Sequence, residues 1–232
     1  MECLYQPKLT PDHSVVDITG SEAHHARVLR LRPGDTLMIS NGAGYRVVAR
    51  ITRMSKERVE CEVLHAAPEN LPWQQLVVAP AILHDRHRWE FLVEKATELG
   101  ATAIAPLIAE RSVKRTINKS RLHAKLLAAL KQAQRAILPE VWTPMTVQQF
   151  LETAASRFDA LIVADVSGQS TAPITAARIA LCVGPEGGWS TTELQHFRAF
   201  PAATLWNLGT QRLRAETAAV VALSCLRCLQ KQ

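Results

Sequence analysis

Arg178-Ile179-Ala180-Leu181-Cys182-Val183-Gly184-Pro185-Glu186-Gly187-Gly188-Trp189-Ser190 decides how the rest of the chain is read. Its first six residues form a short apolar run that predicts a buried strand. Three glycines and a proline follow within five residues, which predicts a turn with unusual backbone angles. Ser190 and Glu193 have capping-box spacing, so a helix is expected to start there. Further on, Ala203 to Leu208 reads as a strand, Gly209 breaks it, and a helix is expected from about Ala215. Glycine loops at the carboxyl ends of two strands can face one another in an α/β sheet, where ligands bind. Such turns also occur in α/β proteins as plain strand-to-helix connections. The wording of these two loops therefore matters more than their existence.

The chain has 232 residues, 47% of them apolar, and a formal net charge of +6. Those figures describe a globular protein of one large or two smaller domains, and they favour a polyanionic partner. No apolar run reaches the roughly eighteen residues of a membrane span. The first residues lack the basic-then-apolar pattern of a signal peptide, so the expected location is cytoplasmic. Five cysteines, odd in number and scattered, argue against a disulfide framework. Cys225 and Cys228 are expected to be core thiols. Neither they nor His24-His25 have a second set of ligands nearby, so no metal is expected.

Residues 1 to about 70 read as β-rich. Strands are expected at Ser14–Ile18, Thr36–Ser40, Tyr45–Ile51 and Arg58–Leu64, with a brief helix from Ser21 and an Asn41-Gly42 hairpin turn. Several short strands in this length suggest a small barrel. The stretch from Ala66 to Pro72 reads as a linker, which gives two expected domains, 1–71 and 72–232. The second alternates strands (Leu76–Ala81, Ala103–Leu107, Asp159–Ala164) with helices, implying a mostly parallel sheet. Asp85 is placed to cap a helix that Gly100 ends.

The segment from Arg111 to Arg135 holds eight lysines and arginines and no acid. Helical periodicity puts Leu122, Leu126, Leu130 and Ala133 on a buried stripe, with Arg121, Lys125, Gln132 and Arg135 on another that points outward. A charge run is often only a solvated face. A run without any anion repels itself unless a polyanion neutralises it, so an RNA face is expected here. The helix from Glu216 to about Leu229 is apolar nearly all round, which fits burial on several sides or against a second subunit.

GPEGGWS at 184–190 with LG…LRAETA at 208–218 resembles the SPOUT superfamily of methyltransferases and, within it, the RsmE family. His24–Asp35, Glu94–Gly100 with Arg111-Ser112, and Gln132 and Arg135 ahead of Leu138-Pro139-Glu140 resemble other motifs of that family. The resemblance spans essentially the whole chain. Many members carry Pro-Arg-Ile where this chain has Thr210-Gln211-Arg212.

The resemblance implies an N-terminal PUA-like RNA-binding barrel, a C-terminal segment threaded into a trefoil knot, and a homodimer. It also implies methylation of N3 of a 16S rRNA uridine by S-adenosylmethionine, on the small ribosomal subunit. The cofactor residues it implies are Leu181, Gly184, Pro185, Glu186, Gly187, Gly188, Leu208, Gly209 and Leu213, with the leucines as apolar walls. Arg214 is the candidate for stabilising charge on the uracil oxygens, and Glu216 for accepting a proton. Candidate RNA contacts are His25, Arg27, Arg30, Arg46, Arg111, Arg121, Lys125 and Arg135. An alternative is a non-catalytic RNA- or ribosome-binding protein that holds a nucleotide. A phosphate-cleaving nucleotidase is disfavoured, because the loop lacks a following Lys-Ser/Thr and Glu186 would repel phosphates.

Overall fold

The computed structural model describes residues 1–229, so 230–232, the end of the second expected domain, lie outside the described residues. The chain forms two compact units. One comprises Met1–Asn70 together with Leu127–Leu138; the other comprises Leu71–Leu126 and the chain from Pro139 onward.

In the first unit the elements are β1 (Cys3–Tyr5), β2 (Val15–Thr19), α1 (Gly20–Val28), β3 (Thr36–Ser40), β4 (Arg46–Met54) and β5 (Arg58–Ala66). They form a mixed five-stranded sheet in the order β1-β3-β4-β5-β2. β1 runs parallel to β3, and the other pairs are antiparallel. Polar and apolar residues alternate along β2 and β5, which places Val16, Ile18, Val59 and Cys61 inside, against Leu37, Ile39, Val47 and Ile51. The hairpin between β3 and β4 is wider than a two-residue turn. Ser40 pairs with Arg46, and the Asn41 side-chain oxygen accepts from the amides of Ala43 (2.8 Å) and Tyr45 (3.0 Å). Asn41 thus builds its own local turn and holds a five-residue loop.

The second unit contains β6 (Gln75–Pro80), α2 (Arg86–Glu98), β7 (Ala103–Ile104), β8 (Leu107–Ile108), β9 (Glu140–Val141), β10 (Met145–Thr146), α4 (Val147–Ala154), β11 (Ala160–Ser170), β12 (Arg178–Val183), α5 (Thr191–Ala199), β13 (Ala203–Asn207) and α6 (Ala215–Leu229). The helix α3 (Lys119–Gln132) crosses the boundary between the units. Six strands form an all-parallel sheet in the order β13-β11-β12-β6-β7-β9. The strand expected over Ala103–Leu107 is two strands. Pro106 has no amide hydrogen to give a ladder, and beyond it the chain leaves the main sheet to pair as β8 with β10. As expected, the Asp85 carboxylate caps α2 by accepting from the Arg88 amide at 2.9 Å, and Gly100 follows its end with φ +105°.

Two expectations are corrected. Cys225 is half-buried and Cys228 exposed. The buried stripe of α6 is Ala215, Ala219, Ala222, Leu223 and Leu226, and the two cysteines lie beside it. Cys3, Cys61 and Cys182 are the core thiols. Burial pushes the first two up to about 12 and raises Cys182 as well, so all three stay protonated and inert.

The other correction concerns the outward basic stripe. α3 ends at Gln132, and Gln134 adopts φ +52°. The Arg135 amide then donates back to the Leu130 carbonyl at 2.9 Å, the back-bonded end of a helix whose next residue is left-handed. The chain turns there, so helical periodicity does not reach Arg135, whose residue exposure is 2%. Its guanidinium donates to Glu69 at 2.8 Å, and the other Glu69 oxygen accepts from the Ala136 amide at 2.7 Å. Lys131 pairs with Glu22 at 2.8 Å. The run lacks acids of its own, but acids distant in sequence neutralise part of it.

Glu90 on α2 does the same for the first half of α3. Its buried carboxylate takes Arg121 in a direct pair, with Lys125 at 3.7 Å and Arg86 at 3.8 Å. Arg121, above all, holds the Glu90 carboxyl below the usual carboxylate range. A depressed folded-state pKa gives stability that is complete above the ordinary carboxylate pKa of about 4.3 and is lost as pH falls through the depressed value. Glu90→Gln is therefore expected to be less stable than the parent in denaturant titrations near neutrality. The gap should close in acid, and a gap independent of pH would contradict this assignment.

Candidate active site

β12 ends at Val183, and the three glycines after it serve different physical needs. A Cβ at Gly184 would lie 3.3 Å from the Trp189 indole, so this glycine admits the ring. A Cβ at Gly187 would lie 3.3 Å from the Cβ of Arg111, so this one admits an arginine side chain. Gly188 needs its left-handed φ of +70° to close the turn in which its amide donates to the Pro185 carbonyl at 2.8 Å. Trp189 anchors the loop. It is buried, packs edge-on against Phe197 with ring centroids 4.9 Å apart, and donates to the Ala164 carbonyl at 3.2 Å.

The expected capping box is formed. Ser190 and Glu193 bond each other's amides at 2.8 and 3.1 Å. Glu193 does more than cap, because its second oxygen accepts from the Glu110 amide at 2.9 Å. That bond brings the chain at 110–111 against the glycine loop. Arg111 then donates to the Gly187 carbonyl at 2.8 Å. Periodicity cannot reveal a contact between residues so distant in sequence.

A third wall comes from the far end of β11, where the strand expected to stop at Ala164 continues to Ser170. Its pairing with β13 skips from Ala164 to Gln169, so residues 165–168 bulge out of the ladder. Gly168 makes this possible: a Cβ there would sit 2.5 Å from the backbone carbon of Leu205. Gly168→Ala is expected to cost about 2 kcal/mol by overpacking against backbone that cannot move aside. A urea denaturation midpoint equal to the parent's would contradict this.

These segments enclose a cavity of about 840 Å³ at the carboxyl ends of β11, β12 and β13. That is within the ~300–1,000 Å³ usual for a small-molecule site, and it lies where parallel sheets place their ligands. Gly184 to Trp189 form one wall, Asn207 to Ala215 a second, and Ala164 to Ser167 a third. Every expected cofactor residue lines the cavity except Leu181. Leu181 is fully buried within β12, and Val183 supplies the apolar surface instead. Leu208 and Leu213 add to it. Backbone amides and carbonyls on two loops, set beside leucine and valine, fit a ligand with an adenine face and ribose hydroxyls.

Four arginines line the cavity: Arg88, Arg111, Arg212 and Arg214. Arg212 donates to the Glu186 carbonyl at 3.3 Å. Arg214 is exposed, and among the described residues its guanidinium has no hydrogen-bond or ion-pair partner. It pairs with neither Glu186 nor Glu216. Glu216 itself is buried, is not among the lining residues, and approaches Arg88 at 3.7 Å. It therefore stands behind the wall, away from where an acceptor base would sit.

The remaining candidates are more dispersed. Arg27 and Arg30 are exposed around the end of α1, and His25 is half-buried. Arg46 donates from Nε to the Ala67 carbonyl at 2.7 Å and also reaches the carbonyls of Pro68 and Gln134, so it has a structural task.

Residues 69–227 match the RNA methyltransferase domain family, and residues 18–64 match the RNA methyltransferase PUA domain family. The fold is thus that of an RNA methyltransferase. The chain is 30% identical to Ribosomal RNA small subunit methyltransferase E of Bacillus subtilis, over 90% of this chain and 88% of the relative. With the protein of the same name from Synechocystis it shares 32% identity, over 93% and 74%. A crystal structure of Ribosomal RNA small subunit methyltransferase E from Neisseria gonorrhoeae, bound to S-adenosyl methionine, superposes with a TM-score of 0.86 at 30% identity, covering 99% of this chain and 98% of that one. The chain belongs to the ribosomal RNA small subunit methyltransferase E family, the one its motifs resemble.

Proposed function

We propose that this protein transfers the methyl group of S-adenosylmethionine to N3 of one uridine in 16S rRNA, acting on the small ribosomal subunit. The observation that carries this reading is the cavity: two glycine loops present their backbone to it, and Arg214, whose guanidinium is unpaired among the described residues, stands on its wall. When bound, the cofactor supplies a methyl group made electrophilic by its sulfonium. The loops at 184–188 and 208–213 would grip adenine and ribose through backbone groups, between the apolar surfaces of Val183, Leu208 and Leu213. Uracil N3 must lose its proton to react, and the resulting charge spreads onto O2 and O4. Arg214 would hold that charge with its planar fork and orient the ring. With Glu216 facing Arg88, the proton leaves to solvent or to the RNA itself in this reading.

The mixed N-terminal sheet would act as a PUA-like barrel holding RNA through His25, Arg27 and Arg30, with the domain boundary near residue 72. Arg111, Arg121 and Lys125 would add contacts from the second unit. Arg46 and Arg135 would support the RNA face by holding their surroundings in place. We further propose a knotted C-terminal segment, a homodimer and a cytoplasmic location with the ribosomes. Among the described residues no helix is long and apolar enough to cross a membrane.

The test is methyl incorporation from labelled cofactor into small-subunit particles and into naked 16S rRNA, both from cells lacking the modification. Incorporation into the particles supports the proposal. Tight RNA binding without incorporation into either would make the protein a binding module instead.

A further inference from the structure

The cavity holds more positive charge than its cofactor can use. Four arginines line it against the two carboxylates Asp165 and Glu186. Arg111 and Arg212 are tied only to carbonyl oxygens, which leave their charge intact. The cofactor is itself a cation with a single carboxylate, so it opposes most of this charge.

Arg88 is the arginine with its own acid. It stands in the first turn of α2, and Glu216 approaches it from α6 at 3.7 Å. Glu216 is 9% exposed, and among the described residues its Oε2 has no hydrogen-bond partner although it is buried. A buried carboxylate that leaves one oxygen unused is costly unless its charge has a task. Among the described residues the cation beside it is Arg88, which lines the cavity. Glu216 engages Arg88 through one oxygen at a loose distance, so guanidinium donors remain for a ligand.

We infer that Arg88 is a further substrate-binding residue, which takes the phosphate of the nucleotide being methylated, and that Glu216 is the positioning residue that holds it. This rests on the proposed RNA substrate. The same oxyanion chemistry could be met by the cofactor's carboxylate, but one carboxylate does not answer four guanidiniums, whereas an RNA backbone does. Glu216 then acts on the reaction through Arg88 and takes no proton.

The test uses the full-length protein, a uridine-containing single-stranded RNA for the salt-slope titration, and small-subunit particles lacking the modification with S-adenosylmethionine for KM. Arg88→Gln is expected to reduce the log–log salt slope of RNA binding by about 0.7, the share of one single-strand phosphate contact. It should raise KM for RNA about tenfold, the value of one charge-assisted hydrogen bond, with calorimetric cofactor affinity unchanged. Glu216→Gln keeps shape and should raise KM by less, with the salt slope unchanged because Arg88 keeps its charge. The double variant should be no worse than Arg88→Gln alone, since Glu216 acts only through Arg88. An unchanged slope in Arg88→Gln overturns the phosphate assignment. Lost cofactor affinity gives the arginine to the cofactor's carboxylate and overturns it too. Costs that add in full in the double variant overturn the positioning role, and that comparison holds even if Glu216→Gln is less stable. RNA binding is read without methyl transfer, so an inactive parent enzyme would sink the proposed function and leave the slope measurement standing.

Discussion

Arg214→Lys is expected to lower the single-turnover methylation rate about a hundredfold, the size seen when one preorganised donor to a developing anion is removed. Lysine keeps the charge but loses the planar fork that can meet two acceptors. Arg214 lines the cavity, and its guanidinium has no partner among the described residues that would give it a structural task. Cofactor and RNA affinities should therefore change much less than the rate, because a contact made only in the transition state acts on the chemical step. The deficit should also shrink as pH rises, since more of the uracil N3 is then already ionised. A lysine variant that loses cofactor affinity in proportion to its rate would make Arg214 a ligand-gripping residue. Charge stabilisation would then pass to Arg111 or to the loop amides.

Arg135→Ala is expected to destabilise the fold by about 3 kcal/mol or more, the cost of breaking a buried ion pair and leaving one charge behind. The stranded charge is Glu69, whose side chain is 12% exposed and whose other oxygen stays bound to the Ala136 amide. Arg121→Ala changes a pair whose arginine is nearly half exposed. It should cost far less stability and act instead on RNA affinity. Chemical denaturation of the two variants side by side separates them. Similar small losses in both would mean that Arg135 is not held as described.

The contrast between Arg135 and Arg121 marks how far the sequence could be read. Within α3 the buried stripe follows from spacing alone, because leucines four residues apart face one way. The spacing ceases to apply at Gln132, and nothing in the composition announces the left-handed Gln134 that turns Arg135 inward. The anions that meet the basic run, Glu22, Glu69 and Glu90, come from elsewhere in the chain, and a local window cannot see them.

The candidate site shows the same limit. The capping box at Ser190 and the glycine break at Gly209 are local features, and both were legible. Gly187 was read as a cofactor-loop glycine, but the neighbour that requires its small size is Arg111, brought there by Glu193. The wall from Asp165 to Ser167 was not read, because the expected strand stopped at Ala164 and the glycine at 168, which marks a bulge or close backbone approach inside a strand, lay beyond it. Glu216 was the candidate proton acceptor, two residues after Arg214 in the sequence. Arg214 precedes α6 and Glu216 lies in its first turn, and two residues at about 100° each send the side chains to nearly opposite sides, Arg214 onto the cavity wall and Glu216 behind it.

Methyl transfer to uracil N3 is read out by nucleoside mass spectrometry. Small-subunit particles lacking the modification are incubated with the purified protein and S-adenosylmethionine, and their 16S rRNA is then digested to nucleosides. 3-Methyluridine is expected to appear, dependent on the protein and strongly reduced with Arg214→Lys. A methyl group found on a ribose or on another base, or none at all from a protein that binds both cofactor and RNA, would contradict it.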